Sequence, residues 1–383
     1  MKALVTDAHH RNVLAGIRGF GRAGHEVLAL GPRRTAGGLW SRHTSARAVD
    51  RSGGPGALAA RVAECASEHG PVVVYPGAES SIDALVGADP PLPATAVLPY
   101  PDAGALELLR DKRGLAALAA EVGLATPATL VEATAAELRG WDPPAPCVVK
   151  PAAPCGALPT ARAVGSGEEL RALLATLPTG EPLLVQERAR PPLVSLAVVM
   201  GRGGELVARF QQEARRTWPP DAGMSSLAVS VTPDGRLTEQ TAAMLRDARF
   251  GGLAQLQFVQ VDRGPALIDV NPRFYGSMAL ALACGVNLPA AWHAAVTGER
   301  AGGPASYRVG VSYRWLEGEL LTAVRGASGP AQALRRSAAV LAHPPPRPRT
   351  GAIWAGQDPL PGVLMAAELI GGIAARRLGR GTV

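Results

Sequence analysis

Lysine is almost missing. Only Lys2, Lys112 and Lys150 stand among the 39 Lys and Arg residues, so nearly all the positive charge is guanidinium, which in a chain this rich in Ala, Gly and Pro reads as compositional bias. Aromatic residues make up 4% and the arginines are scattered. The stacking platforms that hold bases are therefore absent, and nucleic acid is not expected as a partner despite a net charge of +7. Cysteine is scarce too: Cys65, Cys147, Cys155 and Cys284 show no paired metal-ligand spacing and read as reduced thiols, Cys147 and Cys284 as small core residues. No run of eighteen apolar residues and no basic-then-apolar leader occurs, which predicts no membrane span and a cytoplasmic location. What is present is 383 residues with 47% hydrophobic and 19% charged content, enough to bury two or three cores.

The most informative segment runs from Ala266 to Ser277 and contains Asp269-Val270-Asn271-Pro272-Arg273. Alternation along a strand puts Asp269, Asn271 and Arg273 on one face and packs Ile268 and Val270 on the other. A carboxylate and a neutral oxygen at that spacing suit a hard cation that keeps positions for water and phosphate, and an adjacent guanidinium suits developing phosphoryl charge. The same residues also fit a strand end whose Asp and Asn merely start a turn. The scarce lysines add weight to the first reading. Lys150 closes the apolar run Pro146-Cys147-Val148-Val149, and Lys112 follows Arg110-Asp111 at the start of the helical stretch 114–122. A compact ammonium can grip phosphates where a planar fork does not fit, although a plain surface position stays open for either lysine.

An ordered series carries a resemblance. Asp111-Lys112 precedes a helix and Gly123-Leu124-Ala125-Thr126-Pro127; then come Val148-Val149-Lys150-Pro151, Leu183-Leu184-Val185-Gln186-Glu187, Gln257-Phe258 and Asp269-Val270-Asn271-Pro272-Arg273. Over residues 105–290 the chain resembles the ATP-grasp superfamily, specifically its carboxylate–amine ligases. The resemblance implies a mixed α/β and α+β chain: an N-terminal Rossmann-like α/β domain (1–105), a nucleotide-binding subdomain (106–190), a metal and catalytic subdomain (191–305) with the nucleotide between the two, and a C-terminal extension (306–383). It assigns Lys112 and Lys150 to the ATP phosphates and Gln186, Glu187 and Arg188 to the adenine edge. Asp269, Asn271 and Gln257 fall to Mg2+, with Mn2+ as a substitute, and Arg273 with Arg215 and Arg216 to the carboxylate substrate and transferred phosphate. A solvated pair beside the Trp218-Pro219-Pro220 turn is the other account of Arg215 and Arg216. The implied activity is amide formation through an acyl phosphate from small carboxylate and amine substrates, amino acids among them, with room for a homodimer.

Residues 1–105 follow a βαβ rhythm: strand 3–6, helix 12–23, strand 26–30, helix 57–68, strand 71–75. Gly16, Gly19 and Gly21 imitate a dinucleotide fingerprint but lie inside the helix rather than in a strand-to-helix turn. His9, His10 and Glu79 follow strand ends, where ligands bind in such sheets, or are a turn histidine pair and a helix-capping carboxylate. Residues 239–247 read as a helix leading into a hairpin that pairs Gln257 with Asp269, allowing one bulge. Residues 307–315 alternate like an added strand, 343–349 read as a Pro-rich connector and 360–378 as a packing helix, or else an amphipathic surface segment with basic ends.

Two departures from the family pattern matter. Gln257 replaces an expected carboxylate, removing one negative charge from a cation site. The loop Ala152 to Ala157, expected to be glycine-rich, keeps only Gly156, and Pro154 removes an amide donor; Cys155 within it reads as filler. Both motivate an alternative, a nucleotide-binding regulatory protein without turnover. An NAD-linked oxidoreductase built on the first domain leaves the Lys and Asp-Asn-Arg series unexplained.

Overall fold

The computed structural model describes residues 1–50, 55–141, 146–152, 157–158, 161–220, 223–262, 264–299 and 305–377. The first sheet is parallel. Its strands β1 (Lys2–Val5), β2 (Val27–Gly31), β3 (Ala46–Val49), β4 (Val72–Tyr75) and β5 (Ala96–Val97) lie in the order β3-β2-β1-β4-β5. Both faces are covered, so β2 and β4 are buried at every position. Leu4, Leu28, Val72 and Val74 pack beneath helix Pro55–His69, whereas Ala3, Val5, Ala29, Val73 and Tyr75 pack toward helix Arg11–Arg22. Strand order reverses between β1 and β4, and the crevice beyond their carboxyl ends is formed by Asp7–His10 and Gly77–Glu79.

A four-stranded antiparallel sheet follows: β6 (Thr129–Thr134), β7 (Cys147–Pro151), β8 (Arg162–Val164) and β9 (Pro182–Glu187), ordered β6-β9-β7-β8 around its own core of Cys147, Val149, Leu170, Leu183 and Val185. The largest sheet has seven strands: β10 (Arg190–Met200), β11 (Leu206–Trp218), β12 (Met224–Ser230), β13 (Gly252–Val261), β14 (Gly264–Asn271), β15 (Ser312–Arg314) and β16 (Arg349–Gly351), in the order β14-β13-β10-β11-β12-β15-β16. One of its faces carries Leu196, Val198, Leu256, Phe258, Leu267 and Val270 against helices Lys112–Glu121 and Gly235–Asp247. The other carries Ala197, Val199, Phe210 and Leu253 into the core shared with the first domain.

The helical glycines have a packing role. A Cβ on Gly16 would lie 2.8 Å from the Phe274 ring, and one on Gly19 would lie 2.7 Å from Pro289. Helix Arg11–Arg22 is thereby pressed against the exit of β14 and the start of helix Leu288–Thr297, where Asn287 Nδ2 donates to Gly19 O at 2.7 Å. Helices Met278–Cys284 and Leu288–Thr297, bent by 93°, belong to this core; no single described helix is long and apolar enough to cross a membrane. The buried Cys65, Cys147 and Cys284 sit in three different cores, and Cys155 lies outside the described residues.

Residues after 305 do more than trail. β15 and β16 extend the large sheet beyond β12, and helix Leu360–Arg377 returns to the first domain, where Glu368 meets Arg33 at 2.6 Å and Met365 touches Gly37. Asp358, buried like its partner, accepts from Arg18 Nε at 2.9 Å, Ser41 Oγ at 2.8 Å and Arg42 N at 2.9 Å. Burial pushes this carboxyl up, but the hydrogen bonds from Arg42, Arg18 and Ser41 outweigh that and hold it below the ordinary aspartate range. A depressed folded-state pKa contributes stability above the unfolded value and loses it as pH falls through the folded one. Asp358→Asn should therefore cost about 3 kcal/mol or more at neutral pH, because Arg18 is left buried and unpaired. Urea titrations of both proteins should show that deficit at pH 7 and see it shrink only as pH falls through the depressed pKa of Asp358, below the ordinary aspartate range.

Candidate active site

The β13–β14 hairpin pairs Gln257 with Asp269 and Gln255 with Asn271. Directly opposed residues of antiparallel strands share a face, and the register continues across the sheet: Gln212, Ser195, Gln257 and Asp269 form one row over β11, β10, β13 and β14. A polar line thus crosses a face whose next row is apolar and buried at Phe210 and Ala197 and polar again at Gln255 and Asn271. A register shift falls between Gln257 and Phe258. It skips Ile268, so Leu267 rather than Ile268 joins Val270 in the core, which corrects the strict alternation expected from sequence. The same shift keeps Asp269 and Asn271 together on the polar side.

Beyond β14 the groups become a chain of contacts. Asn271 Nδ2 donates to Asp269 Oδ2 at 2.9 Å, and Asn271 Oδ1 accepts from Arg273 Nη2 at 3.1 Å. Arg273 Nε donates to Glu79 Oε1 at 2.8 Å and its Nη1 to Phe274 O at 3.1 Å. The other carboxylate oxygen of Glu79 lies 2.8 Å from Arg110 Nε, but that N–H is not aimed at it, so the contact is an ion pair rather than a hydrogen bond. Arg110 is also held by Asp83, at 2.6 and 3.1 Å. Glu79 opens its helix behind Ala78 and uses its carboxylate on these arginines rather than on its own helix end.

The first domain supplies the opposite wall. Asn12, buried in helix Arg11–Arg22, donates from Nδ2 to both Gly77 O and Phe274 O at 3.0 Å. Asp7, at φ 57°, accepts from Gly77 N, and His10 lies close enough to Arg273 and Arg11 to feel both charges. Burial first, then His9, Arg273 and Arg11, lowers His10 to about 4 despite the opposing pull of Asp7, so His10 is neutral at physiological pH. Arg11 stacks over Trp315 at 3.7 Å. Behind the row, Gln212 Nε2 donates to Ser277 Oγ at 2.6 Å while its Oε1 is buried without a hydrogen-bond partner. Sequence reading did not single out Asn12, Arg11, Gln212 or Ser195; periodicity marks strand positions but not which strands become neighbours.

The remaining candidates sit elsewhere. Arg215 falls in a bulge of β11 and pairs with Glu213 at 2.7 Å; Arg216 pairs at 2.6 Å with the buried Glu319, which also accepts from Ser226 Oγ. Among the described residues neither shows a contact with the hairpin cluster. On the smaller sheet Lys150 stands opposite Leu184, and Gln186 lies between Thr129 and Val148. Gln186 Oε1 is buried without a hydrogen-bond partner, which leaves an acceptor for a ligand N–H. Glu187 Oε1 accepts from Ala128 N at 2.7 Å, so its side chain braces the strand end, and Arg188 is exposed. Lys112 begins helix Lys112–Glu121 and its side chain, like residues 153–156 of the loop after β7, lies outside the described residues. Among the described residues no group of three His, Cys, Asp or Glu side chains gathers. Asp269 with the amide oxygens of Gln257 and Asn271 is a one-carboxylate donor set of the kind that suits a single hard cation completed by phosphate oxygens, with the Asn271 oxygen shared with Arg273 and its Nδ2 on Asp269 in this structure.

Comparison with known proteins agrees with this architecture. Residues 180–319 match the family described as ATP-grasp in the biosynthetic pathway with Ter operon. No curated protein sequence matches the chain. Among solved structures, the biotin carboxylase domain of 2-oxoglutarate carboxylase from Hydrogenobacter thermophilus, a dimer holding MgADP, ADP and bicarbonate, superposes with a TM-score of 0.61 at 15% identity over 82% of this chain and 73% of that one. Biotin carboxylase from Campylobacter jejuni in complex with β,γ-ATP gives 0.61 at 14% over 82% and 74%. N5-carboxyaminoimidazole synthetase from Staphylococcus aureus gives 0.60 at 15% over 81% of each chain. The fold of the biotin carboxylases and the carboxyaminoimidazole synthetase is thus shared over four-fifths of the chain, and the ATP-grasp family match over residues 180–319 includes the hairpin of Asp269 and Asn271.

Proposed function

We propose that this protein is an ATP-dependent ligase that joins a small carboxylate to an amine through an acyl phosphate. The observation that carries the reading is the strand end of β14, where a carboxylate, an amide and a guanidinium are linked in series on the polar face of the large sheet. Asp269, Asn271 and Gln257 would hold Mg2+, which when bound neutralises phosphate charge. Lys112 and Lys150 would hold the ATP phosphates, with Gln186 and the backbone at Glu187 and Arg188 at the adenine. Arg273 faces the transferred phosphoryl group, so the carboxylate oxygen attacks the γ-phosphorus, ADP departs, and the amine nitrogen then displaces phosphate as the amide forms. Positioning and charge neutralisation suffice, and no side-chain nucleophile is required. The MgADP, ADP and bicarbonate held by the 2-oxoglutarate carboxylase domain and the β,γ-ATP held by the Campylobacter jejuni enzyme support a small acid activated by ATP. Arg215 and Arg216, already paired to Glu213 and Glu319, are proposed for the carboxylate only if those pairs exchange.

The second reading is a nucleotide-binding protein without turnover, favoured by the single carboxylate of the cation set. Screening amino acids and small acids for ATP-dependent phosphate release, with hydroxylamine in place of the amine, separates the two. A working ligase should release ADP and phosphate and yield a hydroxamate. AMP and pyrophosphate instead would indicate adenylation and sink the acyl-phosphate route.

The cation set makes its own prediction. Gln257→Glu adds a negative charge opposite Asp269 and should lower the magnesium concentration for half-maximal phosphate release, whereas Asp269→Asn should raise it about tenfold or more. Unchanged magnesium dependence in both variants would place the cation elsewhere.

A further inference from the structure

We infer that Glu79 is a positioning residue that holds Arg273 against Asn271 and ties the β14 strand end to the segment leading into Lys112. The inference rests on the ligase reading only for what the site does; the contacts themselves are structural. Glu79 belongs to the first domain, yet its carboxylate lies between two guanidiniums from other segments, Arg273 at 2.8 Å and Arg110 at 2.8 Å. Each of the three donating nitrogens of Arg273 has a different acceptor: Glu79, Phe274 O and Asn271 Oδ1. Of these only Glu79 is charged, so it supplies the strongest of the three bonds. Fixing Nε on Glu79 leaves Nη2 directed at Asn271 Oδ1, and that in turn leaves Asn271 Nδ2 facing Asp269 at 2.9 Å. The orientation of the whole series is set from its first-domain end.

Charge makes the arrangement one-sided. Remove the carboxylate and Arg110 and Arg273 face each other as like charges across a partly buried gap, Glu79 being one-third exposed. Arg110 stays anchored, because the exposed Asp83 also binds it. Arg273 is therefore the one displaced, and Asn271 loses the donor that orients it. A carboxylate that merely favoured the start of helix Glu79–Val86 would have none of these consequences.

Calorimetric titration of ADP over a series of magnesium concentrations tests this without an acceptor substrate. Glu79→Gln should raise the half-saturating magnesium about tenfold, as loss of partners behind metal ligands commonly does, while ADP affinity without magnesium stays within twofold of wild type. Glu79→Asp should recover part of the shift, and Asp83→Asn, which touches only Arg110, should leave it unchanged. In an Arg273→Lys background the Glu79→Gln shift should largely disappear, since the two act as one unit. Should Glu79→Gln not fold, the Glu79→Asp and Arg273→Lys pair carries the same cycle. Equal magnesium dependence in wild type and Glu79→Gln, or additive shifts in the cycle, overturns the inference. Absence of phosphate release from the wild type with every acid and amine sinks the ligase reading separately, and wild type that shows no magnesium-dependent ADP binding overturns both.

Discussion

One buried amide holds the site together. Asn12 sits inside the first helix and places both N–H bonds of its side chain, one on Gly77 O beyond β4 and one on Phe274 O beyond β14. Each of those carbonyls, stripped of its partner in a buried setting, would cost about 1–3 kcal/mol. Asn12 therefore stitches the crevice of the first sheet to the exit of β14, over residues 262 apart in sequence. Phe274 can approach because Gly16 has no side chain, and Asn287 can cap its helix against Gly19 for the same reason. The geometry of Arg273 and Asn271 is thus a property of domain docking before it is a property of the hairpin.

Electrostatics around that seam is strongly directional. Glu79 neutralises one of two guanidiniums, His10 is kept neutral by burial and its cationic neighbours, and Asp269 is the only carboxylate of the proposed cation set. For a unit pair at 4 Å and an effective dielectric near 20, Coulomb attraction is about 4 kcal/mol. The change from a carboxylate to Gln257 therefore weighs more on cation affinity than any bond-length difference along the hairpin. A site of this kind favours ligands that bring their own negative charge with the metal, which is how a nucleotide polyphosphate binds.

The hairpin was legible in sequence because its signals are local. Period-two alternation, the turn at Asp262 and Gly264, and the spacing of Gln257 and Asp269 all lie within a few residues, and a bulge there was anticipated; only its effect on Ile268 was not. The βαβ rhythm of the first domain was legible for the same reason. The glycines of the first helix were correctly set apart from a nucleotide fingerprint, but their partners, Phe274 and Pro289, could not be named from periodicity. Arg215 and Arg216 show the opposite problem. A basic pair reads as an anion clamp until the fold brings Glu213 and Glu319 within 2.7 Å. In the C-terminal region the alternation over 307–315 marked β15, whereas β16, three residues long at the end of the Pro-rich connector, carries no pattern of its own, although both extend the largest sheet.

A polar row across a buried sheet face is unfavourable unless it is satisfied. Here Gln212 is 1% exposed, bonds Ser277 through one end and leaves Oε1 without a hydrogen-bond partner, in line with Ser195, Gln257 and Asp269. Apolar residues at these positions would continue the core formed by Phe210, Ala197 and Leu253 and would bury better by about 1.5–3 kcal/mol for each large side chain. The fold forgoes that gain along this row and at Gln255 and Asn271 in the next, and the first row ends at the single carboxylate of the proposed cation set. Sheet stability is supplied instead by the opposite face, where Leu196, Val198, Leu256, Phe258 and Val270 are buried together. Separating the two tasks by face lets one strand carry Val270 as core and Asp269 and Asn271 as chemistry, so the groups that would meet magnesium and phosphate are mounted on the most rigid element available.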